Sequence, residues 1–169
     1  DVFGVEFDEV GATIGRDAAA CRQLAHRART HVRDARPRFE VERQRGLELA
    51  QAFFAASRSG DLEALGAMLA DDVSVHADGG GKRSAALVPC LGIAAVMELH
   101  ARLAKIHARA PSELVRSGFI NGLPGFVTRE GDGVLQTTAL EIVDGSIVAI
   151  YVVRNPDKLR HLEAEDYQA

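Results

Sequence analysis

The N-terminal part of the sequence restricts the start of this chain to two short helices that pack against each other. Phe7, Val10 and Ile14 lie at positions i, i+3 and i+7, so they form one apolar face of a first helix. Gly15 follows the last of them and can adopt the left-handed conformation that ends a helix. Asp17 is expected to cap the helix that comes next. Two helices joined by so short a turn predict a helix-turn-helix.

The second helix, predicted from about Ala18 to Arg33, has a narrow apolar stripe with several arginines around it. The stripe is made of small and apolar residues, namely Cys21, Leu24, Ala28 and Val32. Arg22 and Gln23 lie in the first two turns, the end that enters the major groove in units of this kind. Because arginine can bond guanine bidentately and glutamine can bond adenine in the same way, the pattern predicts a DNA-reading helix. The alternative is an arginine-rich helix that only faces solvent.

The segment VFGVEFDEVGATIGRDAAACRQLAHRARTHV resembles region 4 of the bacterial extracytoplasmic-function sigma factors. The matching features are the glycine at the turn and the run A-x-R-Q-L-x-x-R-A-R, which covers residues 20–29. This resemblance implies that the second helix reads the minus-35 promoter element. The implied base and backbone contacts come from Arg22, Gln23, His26 and Arg27, and Arg29 is expected to reach a phosphate. Cys21 and His26 differ from the residues usual in the family, which leaves the preferred base sequence open.

Two further motifs extend the resemblance towards the C-terminus. Residues 78–82 read DGGGK and residues 155–159 read NPDKL. Together and downstream of a region 4, they resemble signatures of a sigma-factor subgroup that carries a fused C-terminal SnoaL-like domain. The resemblance implies regulation in cis, with promoter DNA and the core RNA polymerase as partners and an intramolecular contact with region 2 and its linker. The residues expected to make that regulatory contact are Asp78, Gly79, Gly80, Gly81, Lys82, Asn155, Pro156, Asp157, Lys158 and Leu159.

Both motifs also have simpler interpretations. The glycines of DGGGK suit a flexible loop that closely approaches another segment, and the motif lacks the strand–loop–helix spacing of a phosphate-binding loop. In NPDKL, Pro156 is expected to end the last strand and Asp157 to cap a short helix from Lys158 to Asp166. On physical grounds alone NPDKL is a strand-to-helix stop, and only the resemblance makes it regulatory.

The resemblance also predicts how the chain is organised. The chain begins with Asp1 rather than Met, and it is expected to be a fragment that lacks region 2. The predicted bounds are residues 1–34 for the helix-turn-helix, 35–45 for a linker and 46–169 for the SnoaL-like domain. The linker region is polar and contains Pro37, which disfavours helix at the residue before it.

Charge and cysteine content agree with a DNA-binding protein of a reducing compartment. The net charge is −4, but residues 20–45 contain eight arginines against three acidic residues, a local balance of +5. A basic arm on an acidic body is typical of nucleic-acid binding, and it also allows the body to fold back on the arm. Cys21 and Cys90 lack metal-ligand spacing, and no apolar run reaches transmembrane length. We therefore expect a cytoplasmic protein with no membrane contact, metal or cofactor.

From about residue 41 the pattern changes to helices followed by strands, which predicts an α+β fold. The helices are expected to carry apolar stripes over residues 47–55, 62–69 and 93–108, with Asp61 capping the second. Strands are expected at 73–76, 113–121, 125–129, 134–143 and 146–154. Asp132-Gly133 and Asp144-Gly145 are hairpin signals. The segment FFAASRSGDLEALGAMLADDVSVHA resembles the SnoaL-like or ketosteroid-isomerase-like cone, in which a curved, mostly antiparallel sheet wraps three helices around a pocket.

The cone resemblance raises two alternatives to a purely regulatory domain. In an isomerase or hydratase, the position of the oxyanion-hole tyrosine would be Phe53 and that of the catalytic aspartate would be Ala77, so neither can act. His76 and Asp78 share a strand face and could form an acid/base pair, but no catalytic residue is assigned. The second alternative is a ligand-sensing module, whose apolar pocket is expected to include Phe53, Phe54 and His76 and to bind a small molecule.

Overall fold

The computed structural model of the protein describes the backbone of residues 6–34 and 43–165, and the side chains of residues 6–27 and 43–162. The chain divides into two compact units, Asp1–Glu40 and Val41–Ala169. The predicted linker starts in the undescribed residues, and its last three residues are helical.

The N-terminal unit contains the two predicted helices, α1 (Phe7–Ile14) and α2 (Ala18–Asp34). Gly15 ends α1 in the left-handed conformation, with φ 69° and ψ 35°. The Asp17 carboxylate accepts a hydrogen bond from the Ala20 backbone N–H at 2.6 Å, so it caps α2 as predicted. Cys21 is buried at the contact between the helices, being only 3% exposed. The helix-turn-helix geometry is therefore set locally by one glycine and one cap.

The second unit places four helices around a sheet of six strands. The helices are α3 (Arg43–Ser59), α4 (Leu62–Ala67), α5 (Ile93–His107) and α6 (Pro156–Glu165). The strands are β1 (Leu69–Asp78), β2 (Cys90–Leu91), β3 (Glu113–Ile120), β4 (Leu123–Arg129), β5 (Leu135–Val143) and β6 (Ser146–Val153). Asp61 caps α4 through the Ala64 backbone N–H, as predicted. The α+β class is confirmed.

The sheet has the order β2-β1-β6-β5-β4-β3 and is mostly antiparallel, as predicted. The exception is β1, which pairs in parallel with β6. In that register Asp78, the last residue of β1, lies opposite Val153, the last residue of β6. Because parallel strands end at the same edge of a sheet, the segments that follow β1 and β6 start side by side.

Three features differ from the prediction. Leu69 belongs to β1, because α4 ends at Ala67, whereas the helix was expected to continue through it. The two-residue strand β2 was not predicted, and it pairs with the middle of β1. The β3–β4 hairpin turns at Asn121-Gly122, where both residues have positive φ (51° and 86°), a turn signal that the prediction overlooked.

The main core lies between α3, α4, α5 and one face of the sheet. Its largest buried side chains include Leu65, Val96, Phe126, Leu140, Ile147 and Ile150. A second, smaller cluster lies on the other face, where Val127 and Leu135 pack against Leu159 and Leu162 of α6. Phe126 and Val127 are neighbours on β4, so their side chains point to opposite faces. The sheet is thus covered on both faces at this strand.

Candidate functional site

The predicted DNA-reading side chains lie at the solvent-facing part of α2. Arg22, Gln23, His26 and Arg27 are all exposed. Their spacing of i, i+1, i+4 and i+5 gathers them on one face of the helix. The Arg22 guanidinium also lies 5.7 Å from the centre of the Phe7 ring on α1, a cation–π contact. The side chain of the fifth predicted residue, Arg29, lies outside the described residues.

The DGGGK and NPDKL motifs meet at the edge of the sheet where β1 and β6 end. The backbone carbonyl of Asp78 accepts hydrogen bonds from the N–H groups of Arg154, at 2.7 Å, and Asn155, at 3.1 Å. The first residue of one motif is therefore bonded directly to the first residue of the other. We call the contact between these ten residues the motif junction.

Two ion pairs cross the motif junction in opposite directions. Lys82 Nζ lies 2.6 Å from Asp157 Oδ2, and Lys158 Nζ lies 2.8 Å from Asp78 Oδ2. The Lys158 ammonium and the Gly80 N–H, which donates to Asp78 Oδ1 at 2.7 Å, hold the pKa of the Asp78 carboxyl below its usual range. Hydrogen bonds from Lys82 and Arg160 likewise lower the pKa of Asp157. Both carboxylates are therefore ionised throughout the physiological pH range.

The glycines of DGGGK allow the close approach that the sequence suggested. Gly80 has φ 61°, and a Cβ built on it would lie 2.4 Å from Cγ of Asn155. A Cβ on Gly79 would lie 2.1 Å from the Arg83 carbonyl oxygen. Gly81 also has a positive φ, 68°, but a Cβ there would meet open space. Two of the three glycines are thus required by contacts and the third only by its backbone conformation.

NPDKL starts α6 with a different cap from the one predicted. The Asn155 side-chain oxygen accepts a hydrogen bond from the Asp157 backbone N–H at 3.1 Å, so Asn155 is the cap and Asp157 lies inside the first turn. Pro156 occupies the first helical position, where its missing N–H has no effect on the helix. Leu159 is 4% exposed and anchors α6 on the sheet. The Asp157 carboxylate is consequently free to bind Lys82.

The structure places the three predicted pocket residues in different surroundings. Phe53 is 2% exposed and packs edge-on against the His100 ring, at 5.6 Å between centroids, within the core. Phe54 packs against Phe126 at 5.2 Å. His76 points to the opposite face of β1, where its Nε2 lies 3.0 Å from Ser74 Oγ. Strand alternation therefore places His76 on the face of β1 that points away from the core in which Phe53 lies.

The structure also separates the histidine and aspartate that could have formed an acid/base pair. The His76 ring bonds Ser74 and stacks on Tyr151, with 5.3 Å between ring centroids. The Asp78 carboxylate instead binds Gly80 and Lys158. Each group already has its own partners, so the two do not act together.

A cavity of about 440 Å³ lies between α5 and the concave face of the sheet. Its walls are largely apolar, formed by residues that include Val75, Ala77, Leu99, Leu103, Ile106 and Val152. Its polar lining includes Arg58, His107, Glu130 and Arg154. These four residues come from α3, from α5, and from the segments that follow β4 and β6.

Three of these polar residues form a buried cluster. Arg58 Nη2 donates to Glu130 Oε1 at 2.9 Å, and Arg58 Nη1 lies 2.8 Å from His107 Nε2. Thr128 Oγ1 donates to the same carboxylate oxygen at 2.6 Å. Burial and the nearby Arg58 charge lower the pKa of His107, so its ring is neutral at pH 7.

The amino-acid sequence gives almost no signal of this cluster. His100 and His107 lie seven positions apart on one face of α5, a spacing typical of surface residues, yet they are only 6% and 8% exposed. Arg58 and Glu130 are 72 positions apart, so no local pattern signals their pairing. The only available hint was the pair of histidines at helical spacing on α5.

Several classes of site are not found within the described part of the chain. None of its helices combines the length and apolar character needed to cross a membrane. In the same residues, no group of three or more His, Cys, Asp or Glu side chains is placed to hold a metal ion. Cys21 and Cys90 are both free thiols, the first buried and the second half-buried.

Two proteins of Mycobacterium tuberculosis are similar in sequence to nearly the whole chain. "Probable ECF RNA polymerase sigma factor SigI" is 33% identical over 168 residues, which covers 98% of this chain and 54% of that protein. "ECF RNA polymerase sigma factor SigJ" is 30% identical over 168 residues, which covers 94% of this chain and 53% of that protein. The chain therefore spans about half the length of the curated relatives it matches. No protein-family model matches it.

Solved structures show the same relationship and identify the fold of the second unit. The crystal structure of the M. tuberculosis extracytoplasmic function sigma factor SigJ matches with a TM-score of 0.60 and 29% identity, covering 93% of this chain and 55% of that one. A SnoaL-like protein of unknown function from Burkholderia thailandensis matches with a TM-score of 0.55 and 12% identity, covering 66% and 96%. The second similarity concerns the fold alone, and it confirms the predicted SnoaL-like cone.

Proposed function

Because the chain is homologous to the extracytoplasmic-function sigma factors SigI and SigJ of M. tuberculosis, we propose that it serves in bacterial transcription initiation. In this proposal the helix-turn-helix reads the minus-35 promoter element, and the SnoaL-like domain regulates the factor in cis. The partners are promoter DNA and the core RNA polymerase, and the role places the protein in the cytoplasm. The observation that carries the proposal is the homology over at least 94% of the chain.

The exposed face of α2 supports promoter reading. Arg22 and Gln23 lie in the first two turns after the Asp17 cap, at the end of the helix that enters the major groove in a helix-turn-helix. His26 and Arg27 continue the same face by one turn and are exposed. This face offers donors to base edges and to phosphates, as a promoter reader requires. Arg29, whose side chain is not described, completes the proposed set.

The motif junction supports regulation in cis. Its two lysines and two aspartates are tied to one another, yet Lys82 and Lys158 keep 56% and 66% of their side-chain surface exposed. The segment between Lys82 and α5 also exposes large apolar side chains: Leu87 is 99% exposed, Val88 74% and, in β2, Leu91 67%. Apolar residues exposed together are typical of a surface that another segment covers.

The proposed mechanism is a shift between two populations of the whole factor. In the closed form, the motif junction and the apolar segment between Lys82 and α5 contact the linker between regions 2 and 4 and hold the factor away from polymerase. In the open form, the factor binds polymerase and promoter DNA. The domain thereby takes the place of a separate anti-sigma protein. No catalytic step is involved in this mechanism.

Transcription in vitro with the full-length protein and core polymerase tests the proposal. Intact protein is compared with a version truncated after Arg154, which removes NPDKL and α6. We expect both versions to start at the same promoter, with higher output from the truncated version because the closed form loses its contacts. The proposal is wrong if neither version supports promoter-specific transcription, and its regulatory part is wrong if the two outputs are equal.

A further inference from the structure

We propose that the cavity between α5 and the sheet binds an uncharged, largely apolar small molecule that carries a carbonyl oxygen. The unpaired N–H donors of Arg58, His107 and Arg154 are the groups available to bond that oxygen. The proposal that this molecule binds is argued from the cavity alone. The proposal that its binding regulates transcription rests on the function proposed above.

The size and walls of the cavity suit such a molecule. Its volume of about 440 Å³ lies within the range of roughly 300–1,000 Å³ that is usual for small-molecule sites. Leu99 and Leu103 of α5 face Val75 and Val152 of the sheet across it. Apolar walls with a few convergent polar groups are typical of ligand sites, because the walls bind the body and the polar groups fix its orientation.

Three buried N–H donors are left without a hydrogen-bond partner among the residues that the structure describes. They are Arg58 Nε, His107 Nδ1 and Arg154 Nε, and all three residues line the cavity. Buried donors are nearly always paired in folded proteins, so three unpaired ones around a single cavity indicate a ligand that supplies acceptors.

The tautomer of His107 follows from its neighbour. A guanidinium can only donate, so the Arg58 Nη1 contact at 2.8 Å makes His107 Nε2 an acceptor. The ring proton of the neutral histidine must then lie on Nδ1. The Glu130 oxygen nearest to Nδ1 is 3.7 Å away, which is too long for a hydrogen bond. His107 therefore presents an N–H donor rather than an acceptor.

The charges around the cavity favour an uncharged acceptor over a carboxylate. Arg58 is paired with Glu130 at 2.9 Å, and Arg154 is paired with Asp132 at 2.7 Å. Both arginine charges are therefore already neutralised by residues that line the same cavity. An added carboxylate would be repelled by Glu130 and Asp132, whereas a ketone, ester or amide oxygen accepts hydrogen bonds without that repulsion.

Arg154 links the cavity to the motif junction. Its backbone N–H donates to the Asp78 carbonyl at 2.7 Å, and its Nη1 donates to the Ser84 carbonyl at 3.1 Å, in the loop that follows DGGGK. It also directly precedes Asn155, the first residue of NPDKL. A molecule bound to Arg154 Nε would therefore contact a residue that holds both motifs, and it would bias the closed or open form accordingly.

Binding is tested with 6-propionyl-2-(dimethylamino)naphthalene, an uncharged ketone whose emission shifts to the blue when it leaves water. We expect a saturable blue shift that weakens at least tenfold in Leu103→Trp, which fills the cavity. Leu91→Trp adds the same ring at an exposed position outside the lining and should leave binding unchanged.

The ligand class is tested by competition with three naphthalenes that differ only in one group. We expect 2-acetylnaphthalene to displace the probe at least tenfold better than 2-ethylnaphthalene and better than 2-naphthoate. In His107→Phe, which removes the Nδ1 donor, the advantage of the ketone over the hydrocarbon should shrink. Equal binding of ketone and hydrocarbon, stronger binding of the carboxylate, or no effect of Leu103→Trp would each overturn the proposal.

The regulatory consequence is read separately, in transcription by the full-length protein with and without 2-acetylnaphthalene. We expect the ketone to change output from the intact protein and to have no effect on the Leu103→Trp variant. Binding without any change in output would overturn the coupling through Arg154 and leave the binding site standing. If no sample supports promoter-specific transcription, the function proposed above is contradicted. Binding of the ketone to the chain does not depend on that function.

Discussion

Gly80 and Asn155, 75 positions apart in the sequence, approach so closely that a Cβ on Gly80 would lie 2.4 Å from the Asn155 side chain. Asn155 is also the residue that caps α6. Because Gly80 has no Cβ, the Asn155 side chain can occupy the position from which it caps α6. This relationship makes the two motifs a single structural unit.

Gly80→Ala is predicted to destabilise the second unit more than Gly81→Ala does. Both residues have a positive φ, so both changes carry a backbone strain of about 1 kcal/mol. Only Gly80→Ala also displaces Asn155, which adds about 1 kcal/mol for the lost helix cap. Urea unfolding followed by circular dichroism measures the difference. In an Asn155→Ala background the two alanine variants should become equal, and a difference that persists there would contradict the account.

The exposed ion pair of the motif junction is predicted to contribute little to stability. Lys82 and Asp157 are 56% and 42% exposed, and exposed pairs contribute about 0–1 kcal/mol. Lys82→Ala should therefore lower the free energy of unfolding by less than about 1 kcal/mol. The Glu98–Arg102 pair on α5 is more exposed, at 66% and 70%, and offers a control outside the motifs. A loss well above 1 kcal/mol in urea unfolding would mean that Lys82 has a structural rather than a regulatory role.

Stability is predicted to fall as the pH drops below about 6.5. Burial lowers the pKa of both His100 and His107 in the folded state, and the Arg58 charge lowers both further. In the window between the lowered folded pKa and the ordinary value of about 6.5, the unfolded chain binds protons that the folded chain does not. The unfolding free energy therefore decreases with falling pH in that window. The unfolding free energy decreases again near and below about pH 4. There the carboxylates of Asp78 and Asp157 become protonated and lose the contacts with lysine that stabilise their ionised form.

The slope of stability against pH identifies the groups responsible. His100→Asn and His107→Asn should each flatten the slope measured by urea unfolding between pH 7.5 and 5.5, even if they lower stability at every pH. Equal slopes in the intact protein and in both variants would show that the buried histidines do not titrate as described.

Arg22→Ala is predicted to weaken and broaden promoter recognition. A bidentate contact to guanine contributes about 1–3 kcal/mol of discrimination, so its loss should reduce the preference for the cognate minus-35 sequence roughly 5- to 150-fold. Arg27→Ala is expected to weaken binding to cognate and scrambled DNA equally if it contacts phosphate. Arg109→Ala, an exposed arginine of the second unit, serves as the control for net charge. If both α2 variants bound promoter DNA as the intact protein does, α2 would not be the helix that reads the promoter.

Local signals explain how much of the fold was predictable. Asp17 and Asp61 cap helices through their own side chains, and Asp144-Gly145 has the positive φ values that a two-residue hairpin turn needs. These features depend on a few adjacent residues, so the sequence displays them. Leu69 was misassigned because an apolar residue after a short helix suits either a helix or a strand, and the parallel pairing with β6 decided between them.

Non-local contacts explain what was not predictable. Both motifs stood out by resemblance, but their mutual contact follows from the register that places Asp78 opposite Val153. The cluster of Arg58, His107 and Glu130 joins one helix to another and to a turn, with no spacing rule to indicate it. The position of Phe53 is equally non-local: it lies in the core that those helices enclose, and the cavity lies beside it.

The central claim is that the motif junction sets transcriptional output, and a charge exchange tests it most directly. Promoter-specific transcription by the full-length protein and core polymerase is measured for Lys82→Asp, Asp157→Lys and the double variant. Because an exposed pair contributes at most about 1 kcal/mol, each single change should raise output by up to about fivefold without changing the promoter used.

In the double variant the pair is restored with its charges exchanged, so output is predicted to return towards that of the intact protein. The claim would be contradicted if transcriptional output were identical in all four proteins. It would also be contradicted if the output of the double variant did not return towards that of the intact protein.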